Sequence, residues 1–84
     1  MLKSYYVYLI VTKRKNKLVS YVGYTNNISK RIKMHNLSKG AKFTKGNLWS
    51  LIYKKQYETK SLAMREEHIL KKNYKLRKKL KQEN

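Results

Sequence analysis

Cysteine is absent from the 84 residues. Disulfides, thiolate zinc sites and cysteine nucleophiles are therefore excluded. Small secreted domains usually need disulfide staples, so a reducing, cytoplasmic setting is expected. Aspartate is absent too, and the acidic side chains number only four. His35 and His68 lie far apart, and with no Cys or Asp beside them a zinc site is not expected. There is no HExxH, no glycine-rich phosphate loop and no Ser/His/Asp arrangement. Long hydrophobic runs are missing. The apolar stretch from Tyr5 to Thr12 falls far short of the roughly 20 residues of a membrane span. No signal peptide is evident, and no membrane partner is expected.

Positive charge is abundant instead. Lys and Arg total 22, and the formal net charge is +18. At this density self-repulsion opposes folding unless a polyanion neutralises it. Nucleic acid is the partner expected first, since its phosphates present a dense line of negative charge. The length allows one domain, spanning 1–84, with a basic C-terminal tail at about 71–84.

The run from Tyr5 to Thr12 reads as a buried strand. Lys13 to Lys17 reads as a hairpin loop, and Leu18 to Tyr24 as a second, antiparallel strand. Gly23 within it predicts a bulge or a close backbone approach. Asn26 or Asn27 caps a helix reaching His35 or Asn36. On it Ile28 and Ile32 share one face, while Arg31 and His35 share another. Asn36 to Gly46 reads as a loop and Leu48 to Tyr57 as a third strand. Thr59 or Ser61 caps a second helix whose apolar stripe is Leu62, Ala63, Ile69 and Leu70. Lys71 to Lys81 predicts a short basic helix. Leu2, Tyr57, Leu76 and Leu80 could pack internally or seed a dimer. The order β-β-α-β-α-α implies an α+β domain, with helices flanking a small three-stranded antiparallel sheet.

Three constellations could carry chemistry. Tyr8 and Tyr21 lie on paired strands, where a hairpin can bring them close. A phenol serves as a general base only if its proton is drawn off; alternatively both rings fill an aromatic core. Arg31 and His35 could hold phosphate and move a proton, or simply add cations to a basic surface. Glu66 and Glu67 are either ion-pair partners or ligands for a hard cation such as Mg²⁺. Helical-wheel arithmetic favours neither glutamate clearly. The basic segment Gly40 to Gly46 could wrap a phosphate backbone.

Tyr6-Val7-Tyr8 followed by Tyr21-Val22-Gly23 resembles the paired motif of the GIY-YIG nuclease superfamily. Thr25, Arg31, His35, Asn36, Gly40-Ala41-Lys42, Thr44, Ala63, Glu67, Leu70 and Lys71 continue the likeness in order. The nearest resemblance is to small single-domain bacterial members of the UPF0213 or URI type. It implies a metal-dependent endonuclease acting on phosphodiester bonds, with Glu67 holding one Mg²⁺ or Mn²⁺. Tyr8 or Tyr21 would activate water, helped by a hairpin lysine. Arg31 would neutralise the phosphate, and His35 would assist binding or proton transfer. Lys42, Thr44, Lys45, Lys71 and Lys72 would contact nucleic acid. DNA, branched or damaged and met in DNA repair, is the expected substrate. With no added recognition domain, structure-directed or weakly specific cutting is expected, or specificity supplied by a protein partner. The alternatives are a non-catalytic nucleic-acid-binding module and a basic RNA- or ribosome-associated protein.

Overall fold

The apolar run beginning at Tyr5 becomes the central strand of the sheet, because Val7 to Thr12 are buried on both of its faces. The computed structural model describes residues 4–83; Leu2 lies outside them. Strand β1 (Tyr5–Arg14) is flanked by β2 (Lys17–Thr25) and β3 (Ser50–Tyr57) in the order β2-β1-β3. Both pairings are antiparallel. Helices α1 (Ile28–Asn36), α2 (Lys60–Lys72) and α3 (Tyr74–Gln82) complete the expected β-β-α-β-α-α order.

The hairpin connection is shorter than the five-residue loop expected. Arg14 pairs with Lys17, and only Lys15 and Asn16 turn, with φ of 48° and 66°. Two left-handed residues match the strand twist in such a tight turn. A run of lysines hides the strand ends, because solvated cations suit an exposed strand as well as a loop.

Alternation gives the sheet two faces. On one, Val7, Leu9 and Val22 pack with Ala63 and Leu70 of α2, ringed by Tyr53, Tyr57 and Leu80. Tyr57 and Leu80 thus pack within the chain. On the other, Tyr8, Ile10 and Trp49 pack with Tyr21, Ile28 and Ile32. Asn27 caps α1 by accepting from the Lys30 amide. Asn36 closes the loop after α1: its Oδ1 accepts from the Trp49 amide at 2.7 Å, and its Nδ2 donates to the Trp49 carbonyl at 3.3 Å. That tie starts β3 at Ser50 rather than Leu48, whose side chain is left exposed.

Thr59 caps α2 by accepting from the Leu62 amide. The expected stripe is corrected: Ala63 and Leu70 are buried, but Leu62 and Ile69 face solvent. The inward face runs from 63 through 66 and 67 to 70, so both glutamates sit on it, half-buried. Asn73 ends α2 and caps α3, accepting from the Leu76 amide.

Gly23 is a close approach, not a bulge. It pairs with Tyr8, and a Cβ there would collide with the Tyr8 hydroxyl. The bulge lies in β3, where Tyr53 and Leu51 oppose Leu9 and Ile10. Gly23→Ala is expected to cost about 1–3 kcal/mol of stability, the range for overpacking a closed site. Urea unfolding checks this; a midpoint equal to wild type would mean the Tyr8 ring yields freely.

Candidate active site

Tyr8 stands at the centre of the expected constellation, and its surroundings are built by both faces of the sheet. Its side chain is fully buried. Its hydroxyl lies 2.8 Å from His35 Nε2 and accepts a bond from Arg31 Nε at 3.3 Å. Arg31 and His35, one helical turn apart on α1, reach the same oxygen because their shared face meets β1.

His35 is buried as completely as Tyr8. Its Nδ1 lies 2.9 Å from Thr44 Oγ1, and the Thr44 hydroxyl donates to the Ala41 carbonyl at 2.8 Å. With the threonine proton committed to that carbonyl, Thr44 can only accept from His35 Nδ1–H. A neutral imidazole carries one N–H, so Nε2 accepts the Tyr8 proton. The relay therefore runs from Tyr8 through His35 and Thr44 to the backbone. Gly40 closes it from above, since a Cβ there would collide with His35 Nδ1.

Electrostatics agree with this assignment. Burial pushes the His35 pKa below its ordinary value, and the Arg31 charge pushes the same way. The imidazole is thus neutral at pH 7. Burial pushes the Tyr8 phenol up; the Arg31 hydrogen bond and charge pull it back, while Tyr21 and Glu67 add to the rise. Of the sequence-predicted residues, Tyr8, Tyr21, Arg31 and His35 come together on one face of the sheet, while Glu67 stands on α2, which packs on the other face.

The His35 shift has a consequence for stability. Its folded pKa is lowered, so as pH falls the unfolded chain takes up the proton first. Stability is then full above about pH 6.5 and declines below it, by up to about 1.4 kcal/mol per pH unit. Urea midpoints at pH 7.5 and 5.5 should fall further for wild type than for His35→Gln. Equal falls would contradict a buried neutral imidazole.

The two glutamates separate cleanly. Glu66 leans toward Tyr57, whose phenol is pushed up first by burial and then by this carboxylate. It lines a cleft with Val7, Tyr53 and Lys55, away from Tyr8. Glu67 has a side chain only 15 % exposed, and Lys71 Nζ sits 3.1 Å from its Oε1.

Other expected contacts divide. Lys42, Lys45, Lys71 and Lys72 are exposed. Thr44 is a correction: it is fully buried and its hydroxyl is committed to His35 and Ala41, so it offers nothing to nucleic acid. Lys13 lies five residues along β1 from Tyr8, about 17 Å at the rise of a strand, so it does not stand beside that hydroxyl. Direct phosphate contact by His35 is excluded by its burial.

Two clefts flank the free edge of β2. A polar one of about 410 Å³ is lined by Tyr5, Tyr24, Thr25, Asn26, Arg31 and Lys60. The second, of about 220 Å³, is lined by Ser20, Tyr21, Val22, Phe43, Lys71 and Arg77. Sequence reasoning missed Lys60 and Arg77. Lys60 stands seven residues before Glu67, two turns along the same helix face, which could have signalled it. Arg77 carries no signal among the cations of the tail.

Among the described residues no group of three or more His, Cys, Asp or Glu gathers. No helix there is long and apolar enough to cross a membrane.

The GIY-YIG catalytic domain family matches residues 4–81. A UPF0213 protein of Oceanobacillus iheyensis is 39% identical over 70 residues, covering 82% of this chain and 78% of that one. A UPF0213 protein of Staphylococcus haemolyticus is 44% identical over 69 residues, covering 81% and 80% respectively. One from Bacillus licheniformis is 46% identical over 70 residues, covering 82% and 69%. No solved structure matches the chain. The family match spans almost the whole sheet-and-helix unit, and the relatives align over most of their own length. The chain belongs to the GIY-YIG family of nuclease domains, among its UPF0213 members.

Proposed function

We propose that the chain is a metal-dependent endonuclease hydrolysing phosphodiester bonds in DNA, guided by the shape of the strand more than by its sequence. The observation that carries this reading is the convergence of Arg31 and Tyr21 on the buried Tyr8–His35 pair, with the Lys71 that pairs with Glu67 lining the same cleft as Tyr21. A net charge of +18 supplies the affinity for a polyanion.

A divalent cation fits the donor set. Mg²⁺ is commonly held by one or two carboxylates together with substrate phosphate oxygens and water. Glu67 offers a single half-buried carboxylate of this kind, already facing one cation, Lys71. When bound, Mg²⁺ or Mn²⁺ would supply Lewis acidity at the phosphate and a more acidic water.

The chain's own groups divide the remaining work. Arg31 keeps its Nε on Tyr8, which aims the end of the guanidinium at the polar cleft it shares with Lys60. A phosphate there would meet two cations. The Tyr8 hydroxyl is sealed beneath Gly23, so it positions Arg31 rather than touching water. Tyr21 is half-exposed beside Lys71 and is the tyrosine a water can reach; once its own proton has passed to solvent, its phenolate oxygen takes the proton from the attacking water. His35 holds the Tyr8 proton through its fixed tautomer. Lys42, Lys45 and Lys72 add to the basic surface for the flanking backbone. We also assign the protein to the cytoplasm and to repair of branched or damaged DNA, with any sequence preference coming from a protein partner.

A binding module without turnover shares the charge and needs no metal ligand; in it Glu67 serves only as the partner of Lys71. Incubating the protein with labelled single-stranded, duplex, flap and four-way-junction DNA, in Mg²⁺, Mn²⁺ or EDTA, distinguishes them. Cutting confined to the metal samples is expected. Binding of all four with no product under any condition would favour the binding module. Equal competition by RNA would argue against DNA as the preferred substrate.

A further inference from the structure

We propose that the cleft on the free edge of β2 is a nucleotide subsite that holds an unpaired nucleotide beside the scissile phosphate. Its base lies against Phe43, and its phosphate lies against Arg77 and Lys71. The proposal rests on the nuclease reading and narrows it to substrates with a locally unstacked strand.

The first observation is Phe43. Its side chain is 50 % exposed, an aromatic ring open on a lysine-rich surface. The ring is nonetheless held in place. Tyr21 lies nearly parallel to it, at 20° with centroids 6.1 Å apart, and Trp49 lies 6.2 Å away. The Arg14 guanidinium sits 4.9 Å from its centroid. Arg14 is fixed in turn: it donates to the Phe43 carbonyl at 3.0 Å and to Asn47 Oδ1 at 3.3 Å. A ring braced on several sides yet 50 % exposed leaves part of its surface for a flat ligand to extend the Tyr21–Phe43 stack. Base stacking on such a ring tolerates any sequence, because every base has a π face.

The second observation is Arg77. Its Nε is buried without a hydrogen-bond partner. Neither salt bridge among the described residues involves it; its neighbour is the Tyr74 ring, 5.9 Å away. The guanidinium is thus committed to no acceptor among the described residues, and a phosphate oxygen fits its fork well. Lys71 brings a second cation to the same cleft and links it to Glu67 at 3.1 Å. Tyr21 lines the cleft as well. A nucleotide seated there is therefore contiguous with the reacting centre.

The third observation is the shape of the edge. Ser20 and Val22 point to one side of the sheet and Tyr21 to the other, so the cleft wraps the strand edge instead of lying on a flat face. A base inside a duplex has both faces covered by its neighbours and cannot reach Phe43. A single strand, flap or mismatch can offer a free base at a cost of a few kcal/mol or less in unstacking.

The test uses the full chain in EDTA with a single-stranded oligonucleotide carrying 2-aminopurine at each position in turn. Stacking on an aromatic ring quenches this base. Wild type is expected to quench it at some positions and to bind the single strand more tightly than the matched duplex. Phe43→Leu should lose the quenching and bind about tenfold more weakly, with an unchanged circular dichroism spectrum. Phe43→Tyr should keep both. Arg77→Gln should weaken binding and lower the slope of log K against log salt by about one. Unchanged quenching in Phe43→Leu, or equal wild-type affinity for single strand and duplex, would overturn the subsite. Metal-dependent cutting that survives in Phe43→Leu at the wild-type rate would remove the subsite alone. No cutting by wild type on any substrate would remove the nuclease reading itself.

Discussion

Tyr21→Phe is expected to reduce cleavage by about 10²–10⁴-fold, the usual value of a positioned general base, and to leave stability unchanged. Its half-exposed hydroxyl makes no side-chain hydrogen bond among those found in the site. Tyr8→Phe should behave differently. The Tyr8 oxygen satisfies His35 Nε2 and Arg31 Nε together, inside a sealed site. Removing it leaves both without a partner, at about 1–3 kcal/mol. Arg31 then loses its anchor, so activity falls as well. Urea unfolding and single-turnover cleavage, measured together, separate the two roles. Destabilisation by Tyr21→Phe, or none by Tyr8→Phe, would reverse the assignment.

Glu67→Ala should abolish metal-dependent cleavage to the limit of detection, because the proposal gives the metal no other protein carboxylate. Nucleic-acid binding in EDTA should persist and tighten slightly, since a negative charge leaves a basic surface and Lys71 is freed. The fold should survive. The Glu67–Lys71 pair is an i,i+4 helix contact whose lysine end is open to solvent, and such helical pairs contribute about 0.3–0.5 kcal/mol. Glu66→Ala should cut at close to the wild-type rate, because that carboxylate faces Tyr57 in a different cleft. Comparable losses in both variants would show that the two glutamates share the metal.

Much of this site was legible from spacing. Arg31 and His35 fall one turn apart, and Asn27 sets the start of their helix, so their common face followed directly. Tyr8 and Tyr21 lie on strands whose pairing follows from an apolar run, a polar break and a second run. The choice between Glu66 and Glu67 was not legible. Both occupy the inward face of α2, and only the folded chain shows that Glu66 lines a cleft with Tyr57 while Glu67 pairs with Lys71. Thr44 was misread for a related reason. A Lys-rich loop looks solvated, and nothing local reveals that its 3₁₀ turn folds back under His35. Phe43 and Arg77 acquire meaning only when three separate segments meet at the edge of β2.

The most direct measurement compares wild type, Glu67→Ala and Glu66→Ala on one labelled flap DNA. Binding is read in EDTA, and cutting is read after Mg²⁺ or Mn²⁺ is added. The account predicts binding by all three proteins, slightly tighter for Glu67→Ala than for wild type, and cutting by wild type and Glu66→Ala alone. Identical behaviour of wild type and Glu67→Ala in both assays would contradict it.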